Sequence, residues 1–223
     1  MGSSRSRTHN PGHNICMARL IPLFPLQLVV FPRTNLPLHI FEERYKEMTG
    51  KAMRENSEFG IVLAKEKGIA NVGCTVKIEK LMHLYPDGRM DILTRGQRRF
   101  EIGGLNDEQS YLQAEVEFFD DDDIDPAPAE VRARALENFQ ALREMGGDAA
   151  QRDANLEDPQ LSFQLAQTLP DLDFLQSLLR HRSETGRLKH LNEYLQQYIP
   201  RQRTIDRMKA IAPTNGFGSH AGV

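Results

Sequence analysis

The seven histidines of this chain are the residues best suited to acid–base or metal chemistry, and none lies at ligand spacing from another good ligand. His39 and His83 fall on predicted strands, whereas His181 and His190 fall in an arginine-rich helical segment. Neither the zinc-peptidase string H-E-x-x-H nor the hydrolase string G-x-S-x-G occurs. The histidines are therefore interpreted as solvent-facing or edge residues, and no metal ligand is predicted.

Two further groups have residue types found in nucleotide-binding and peptidase sites. A phosphate-binding loop needs a Gly-Lys-Ser/Thr end, but Gly50-Lys51 continues with Ala52 inside a helical pattern. Ser183 and Lys189 have the residue types of a Ser–Lys dyad, yet a predicted helix start separates them and no oxyanion support is visible. A helix-capping serine and a surface lysine explain them better. We predict no catalytic residue and no cofactor.

The two cysteines bear on redox chemistry and on the cellular compartment. Cys16 and Cys74 are too few and too far apart for a metal knuckle or a disulfide framework. A reducing cytoplasm is the simplest location.

An acidic run, Asp120 to Asp125, places five carboxylates within six residues. A calcium loop would also need a glycine at the bend and a distal bidentate glutamate, and both are missing. Because like charges and the prolines at 126 and 128 prevent burial and helix formation, we interpret residues 120–128 as a solvated linker.

Three arginines in the segment RGQRRF suggest contact with phosphate or RNA. On a strand, however, Arg98 and Arg99 point to opposite faces, so they cannot form one basic face with Arg95. A structural role is favoured, and we hypothesise that Arg99 or Arg44 pairs with Glu42 inside the fold.

Residues 20–119 have mostly the alternating pattern of half-buried strands. Leu112, Ala114, Val116 and Phe118 alternate with polar residues, and Pro86-Asp87-Gly88 predicts a tight turn between two strands. This pattern predicts a β-meander.

One helix is predicted within this β region, from about Phe41 to Asn56. Its apolar stripe consists of Phe41, Tyr45, Met48, Ala52 and Met53. We expect this stripe to pack against the sheet.

After the acidic segment the apolar spacing becomes helical. Residues 129–207 predict four helices, with helix starts at Asp158-Pro159, Asp171 and Ser183, and Pro200 ending the last helix. Residues 1–19 and 208–223 are expected to be flexible extensions, and Met17 is a candidate start. No secretory signal and no membrane span is predicted.

Composition and charge limit the partners. The 223 residues carry a formal net charge of −3, and neither globular half is basic. Binding to duplex nucleic acid depends on neutralising phosphates, so this balance disfavours nucleic acid as a partner.

The stretch IPLFPLQLVVFPRTNLPLHIFEERY, residues 21–45, resembles the opening of the Lon protease substrate-binding domain. Later segments resemble that family in kind and order: FGIVL at 59–63, VGC at 72–74, DGR at 87–89 and GQRRF at 96–100. The resemblance covers residues 20–119 and extends to a leucine-rich helical segment at 165–200.

This resemblance implies an α+β fold, with an N-terminal PUA-like β pseudo-barrel that carries one packed helix and a C-terminal helical bundle. It implies recognition of unfolded or tagged polypeptide, without the ATPase and Ser–Lys peptidase modules of the full protease. We therefore expect a non-catalytic, stand-alone recognition domain, which acts with or without a protease in trans.

The expected binding surface is a groove or an open sheet edge. Phe24, Phe31, Pro32 and Leu38 are its weak candidates, because proline-punctuated apolar segments often lie at sheet edges, although each fits a core position better. Two alternatives stay open. One is an RNA-binding module on the same PUA-like fold, and the other is an enzyme whose site joins His39 or His83 to a carboxylate.

Overall fold

The computed structural model describes residues 19–123, 125–146 and 154–211, and these form six strands and five helices. The strands are β1 (Arg19–Leu26), β2 (Asn35–Ile40), β3 (Phe59–Ala64), β4 (Ile69–Leu84), β5 (Met90–Asn106) and β6 (Gln113–Phe119). The helices are α1 (Glu43–Glu55), α2 (Ala129–Glu144), α3 (Leu161–Ala166), α4 (Leu172–Arg180) and α5 (Glu184–Ile211). The predicted α+β class is confirmed. Cys16 and Met17 lie outside the described residues.

The sheet closes on itself because the long strand β5 pairs with β2 and also with β6, the two strands at the ends of the strand order. That order is β2-β5-β4-β3-β1-β6, and β5 pairs with β6 as well. β5 has 17 residues, so its first half pairs with β2 and its second half with β6, while β4 runs beside both. β1 is parallel to β3, so the predicted simple meander is wrong for the first two strands.

The apolar residues form two clusters. The smaller one, built from Leu23, Val62, Phe100 and their neighbours, fills one side of the barrel. The larger one runs without interruption from the barrel into the helices, and Phe31 stacks on Phe163 at 4.8 Å between ring centroids. The helical part is therefore packed on the barrel.

Helix α1 buries Tyr45, Met48 and Ala52, as the predicted stripe requires. The first and last residues of the predicted stripe are not buried: Phe41 precedes the helix and is 59% exposed, and Met53 is 38% exposed. The helix ends at Asn56, which adopts a left-handed conformation.

Two of the predicted helix starts are confirmed by capping bonds. Asp171 accepts a hydrogen bond from the Phe174 N–H, and the Ser183 hydroxyl accepts one from the Gly186 N–H. α3 begins only at Leu161, so Asp158 is not its cap and instead accepts a bond from the Gln160 N–H.

Helix α5 does not end at Pro200 as predicted. It runs through that proline to Ile211, because a proline removes one backbone hydrogen bond without forcing the chain to stop. Residues 208–211 of the predicted flexible tail are thus helical. No helix in the described ranges combines the length and apolarity that a membrane span requires.

The acidic segment is anchored to the fold through Asp121, contrary to the prediction of a solvated linker. Arg99 on β5 donates to one carboxylate oxygen at 2.6 Å, and Arg187 on α5 donates to both oxygens, at 2.5 and 2.6 Å. Gln160 adds a bond at 2.9 Å. The two arginine side chains are at most 2% exposed, so the pairing satisfies two buried cations.

Glu42 is not part of this buried pairing. It binds Arg44 at 2.7 Å, but both side chains are at least 40% exposed, so the predicted pair forms on the surface. Arg99 pairs with Asp121 instead. The hypothesis that Glu42 holds an arginine inside the fold is wrong.

Burial favours the neutral form of both carboxyls in this cluster. For Asp121, hydrogen bonds from Arg187 and Gln160 outweigh burial and hold its pKa well below the usual range. For Glu184, burial prevails and raises its pKa, despite bonds from Ser162 and Arg187.

Replacing Asp121 with Asn should lower the free energy of unfolding by about 3 kcal/mol, because Arg99 loses its carboxylate partner and Arg187 keeps only that of Glu184. The folded-state pKa of Asp121 is below its ordinary value of 3.8, so its contribution is present above that pH and lost as the pH falls below it. Thermal melts at pH 7 and pH 3 should show the difference between wild type and variant shrinking in acid. Asp122→Asn, on an exposed neighbour, is the matched control, and equal melting of both variants at pH 7 would contradict the role of Asp121.

Gly96 on β5 should not tolerate a side chain. A Cβ at Gly96 would lie 2.0 Å from the backbone oxygen of Phe31, whereas one at Gly103 on the same strand would meet nothing closer than 3.6 Å. Gly96→Ala should therefore cost about 3 kcal/mol in urea unfolding, and Gly103→Ala should cost far less. An unchanged midpoint for Gly96→Ala would mean that the segment after Phe31 shifts freely.

Candidate binding surface

Strand β2 presents an open backbone edge. In the part of the chain that the structure describes, β2 pairs with β5 on one side and with no strand on the other. Pro37 lies within it, and proline, which lacks an N–H, is tolerated in sheets mainly at such edges. We call the unpaired side of Asn35–Ile40 the β2 edge. It spans six residues, about 20 Å.

A cavity of about 490 Å³ opens at the start of the β2 edge, and we call it the edge cavity. Residues 33–37, at and before the start of β2, and Arg95 of β5 supply one wall, and Asn155 with residues in and after α3 supply the other. Its lining residues are Arg33, Thr34, Asn35, Leu36, Pro37, Arg95, Asn155, Gln164 and Gln167.

Arg33 is fixed at the mouth of this cavity by its backbone and by its side chain. Its φ of 61° is in the left-handed region, and its N–H donates to the Gly96 oxygen at 2.8 Å. Its guanidinium donates to Gln160 at 2.8 Å and lies 3.5 Å from the buried carboxylate of Asp158. The arginine is thus held in place, and its guanidinium has further N–H groups that can donate hydrogen bonds to a ligand.

The far end of the sheet exposes large apolar side chains. Among the described residues, nine large apolar side chains are exposed, and five lie at the turn end of the β4–β5 hairpin or in segments beside it. We call these five the apolar arm: Phe41, Met53, Leu81, Met82 and Leu84. This concentration is typical of a surface that contacts another molecule.

Between the β2 edge and the apolar arm, a polar row crosses three strands. Asp91 on β5 pairs in register with His39 on β2 and His83 on β4. His39 Nδ1 lies 2.6 Å from Asp91, and the Tyr85 hydroxyl donates to Asp91 at 2.9 Å. These two bonds, that with His39 first, lower the pKa of Asp91, and the Tyr85 pKa is raised in turn.

The alternative of an enzyme requires a histidine joined to a carboxylate of shifted pKa, and the pair of His39 and Asp91 meets that part of the condition. The side chains of His39 and Asp91 are 44% and 34% exposed, so the pair lies on open surface rather than in a water-excluding site. Among the described residues, neither His39 nor Asp91 makes a hydrogen bond to a serine or cysteine. Within the described ranges, no three His, Cys, Asp or Glu side chains group to hold a metal ion.

The other groups considered for chemistry are used structurally. The Ser183 hydroxyl donates to Asp123 and caps α5. Cys74 is fully buried, and burial raises the pKa of its thiol to about 12, so it is no nucleophile at neutral pH. Arg98 stacks on Phe118 while Arg99 is buried, as their opposite orientations on the strand predict.

Three of the four predicted contact residues are buried. Phe24 packs 4.1 Å from the Tyr45 ring, Phe31 packs on Phe163, and Pro32 is buried with them. The core covers these three side chains in this structure, and their role as contacts stays a prediction. Leu38, on β2, is half-buried and remains accessible.

The apolar arm and the arginines of the edge cavity were not assigned to the binding surface from sequence. One signal was available for the arm. The run Leu81-Met82-His83-Leu84 has apolar residues on both faces of a strand, which a half-buried strand does not need.

Comparison with known proteins identifies the fold. Residues 20–197 match the family described as the ATP-dependent protease La (LON) substrate-binding domain. Lon protease 2 of Syntrophobacter fumaroxidans is 26% identical over 211 residues, which is 86% of this chain and 26% of that protein. Lon protease of Parabacteroides distasonis is 27% identical over 122 residues, 51% of this chain and 15% of that protein. The chain thus spans about a quarter or less of these relatives.

Two solved structures share the architecture. A Lon N-terminal domain protein from Xanthomonas campestris has a TM-score of 0.64 and 27% identity, and the match covers 78% of this chain and 96% of that one. The N-terminal domain of Mycobacterium avium complex Lon protease has a TM-score of 0.58 and 18% identity over 80% of this chain and 98% of that one. The chain belongs to the LON substrate-binding domain family.

Proposed function

We propose that this chain binds extended polypeptide segments and does not cut them. The observation that carries the proposal is the β2 edge, where backbone groups of a six-residue strand have no strand partner among the described residues. An extended peptide can add to such an edge through backbone hydrogen bonds, which depend little on its sequence. The family match, which is to a substrate-binding domain, supports the same function.

The apolar arm supplies side-chain contacts to the same peptide. Phe41 directly follows β2, and Leu84 pairs with Met90, which in turn pairs with Ile40 at the end of β2. A peptide that follows the β2 edge therefore reaches Phe41 at the end of the strand, and Leu84 lies two strands further along the same end of the sheet. Burial of such apolar surface favours binding by about 25 cal/mol per Å². Leu38, which lies on β2 itself, is the candidate from sequence that we retain as a contact.

Action with a protease in trans and a cytoplasmic location belong to this proposal as well. Unfolded or tagged polypeptide is the ligand class, and the absence of peptide cleavage is expected. The alternative of an RNA-binding module on the same fold has less support, since Arg98 and Arg99 face opposite sides of β5 and Arg99 is buried.

The role of the apolar arm can be tested with two leucines of equal exposure. Leu84 and Leu105 are each 58% exposed, but only Leu84 belongs to the arm. Leu84→Ser should weaken binding of an unstructured apolar peptide about tenfold, because one leucine contact is lost, and Leu105→Ser should leave it unchanged. Fluorescence anisotropy with a labelled peptide measures both. Equal weakening by the two variants would contradict the assigned surface.

Backbone recognition can be tested separately with a peptide that is N-methylated at alternate residues. Such a peptide keeps its side chains but loses edge hydrogen bonds, so its affinity should fall at least tenfold. A salt series with the unmodified peptide and with single-stranded RNA separates the alternative, because phosphate contacts weaken steeply with salt. Tight, salt-sensitive RNA binding without peptide binding would overturn the proposal.

A further inference from the structure

We propose that the edge cavity binds the terminal carboxylate of the polypeptide, so that the domain prefers segments that end in a free C-terminus. This inference rests on the polypeptide recognition proposed above and adds a ligand group and a direction to it. It arises from the position, the charge and the walls of the cavity.

The position of the cavity ties it to the β2 edge. Its lining includes the consecutive residues 33 to 37. Asn35 pairs with Arg95 of β5, so the cavity lies at the start of β2 and extends over the sheet face that these two residues share. A strand added to β2 would therefore end beside this cavity.

The charge of the lining suits an anion. Two arginines, Arg33 and Arg95, line the cavity together with four side-chain amides, and none of the described lining residues is acidic. Arg95 has a 3.8 Å contact with Glu79, but both side chains are about 40% exposed, so this pair is weak. Arg33 is paired more firmly, with Asp158 and Gln160, and this pairing orients it. Its guanidinium retains N–H groups that suit a carboxylate.

The backbone at Arg33 supports a binding role. A non-glycine residue at φ of 61° adopts an unfavourable backbone conformation, and such residues persist where the surrounding structure fixes them. The Arg33 N–H bond to Gly96, where no side chain fits, holds this conformation. The side chain is thereby directed to the edge before any ligand arrives.

The walls of the cavity favour a chain end over a continuing chain. Asn155, Gln164 and Gln167 line the cavity from the helical part, and we infer that a continuing strand would meet them. A terminal carboxylate needs no continuation. Since it would lie at the start of β2, the peptide runs antiparallel to β2, with its preceding residues pointing toward Phe41.

The test is a pair of peptides that differ only at the terminus. An unstructured apolar peptide with a free carboxylate should bind wild type about tenfold tighter than its C-terminal amide, as expected for a hydrogen-bonded charge. Arg95→Gln should bring this ratio close to one. Arg98→Gln, the same change at an exposed arginine of β5 outside the cavity lining, should keep the ratio.

Arg33→Gln should also abolish the preference, but it disturbs Asp158, so the conclusion depends on Arg95→Gln. Equal binding of acid and amide to wild type would overturn the inference and leave the recognition function intact. Failure of both peptides to bind would refute the recognition function itself. Tight binding of an amidated peptide with an internal aspartate would show that a side-chain carboxylate suffices and would overturn the preference for a terminus.

Discussion

The carboxylate of Asp121 connects three parts of this molecule that are far apart in sequence. It receives hydrogen bonds from Arg99 on the barrel and Arg187 on α5, and it belongs to the segment that joins the two halves. Burying charges is costly, and the cost is offset only when each cation keeps its partner in good geometry. The placement of the helices on the barrel is therefore specified by this ion network as well as by the continuous apolar cluster.

The β2 edge and its cavity depend on that placement. Phe31 stacks on Phe163 of α3, and the residues that follow Phe31 turn tightly over Gly96 before β2 begins. Because Gln160 contacts both Asp121 and Arg33, the buried network and the cavity share one residue. A change that loosens the helical part would thus alter the cavity wall and the orientation of Arg33 together, even though the strand itself is unchanged.

Periodicity was a good guide to local structure and a poor guide to non-local pairing. The strand at 113–119, the turn at 86–88, helix α1 and the caps at Asp171 and Ser183 follow from local patterns, and the structure confirms them. The parallel pairing of β1 with β3 could not be deduced, because register between distant strands leaves no local trace. The prediction that Asp121 is solvated is wrong. A run of like charges usually stays in solvent, and the sequence of the run does not show which aspartate pairs with two arginines.

Burial separates the ionisable groups into two uses, and this bears on whether the domain acts by binding or by reaction. Arg99, Asp121 and Arg187 are shielded from water but are committed to one another. His39 and Asp91 are joined closely but lie in contact with solvent, where a high dielectric weakens the field that a reacting group would need. Among the described residues, the buried charges therefore stabilise the fold. The open edge instead offers backbone groups, apolar side chains and arginines. Such a surface is suited to the recognition of an extended chain and its end group that we propose.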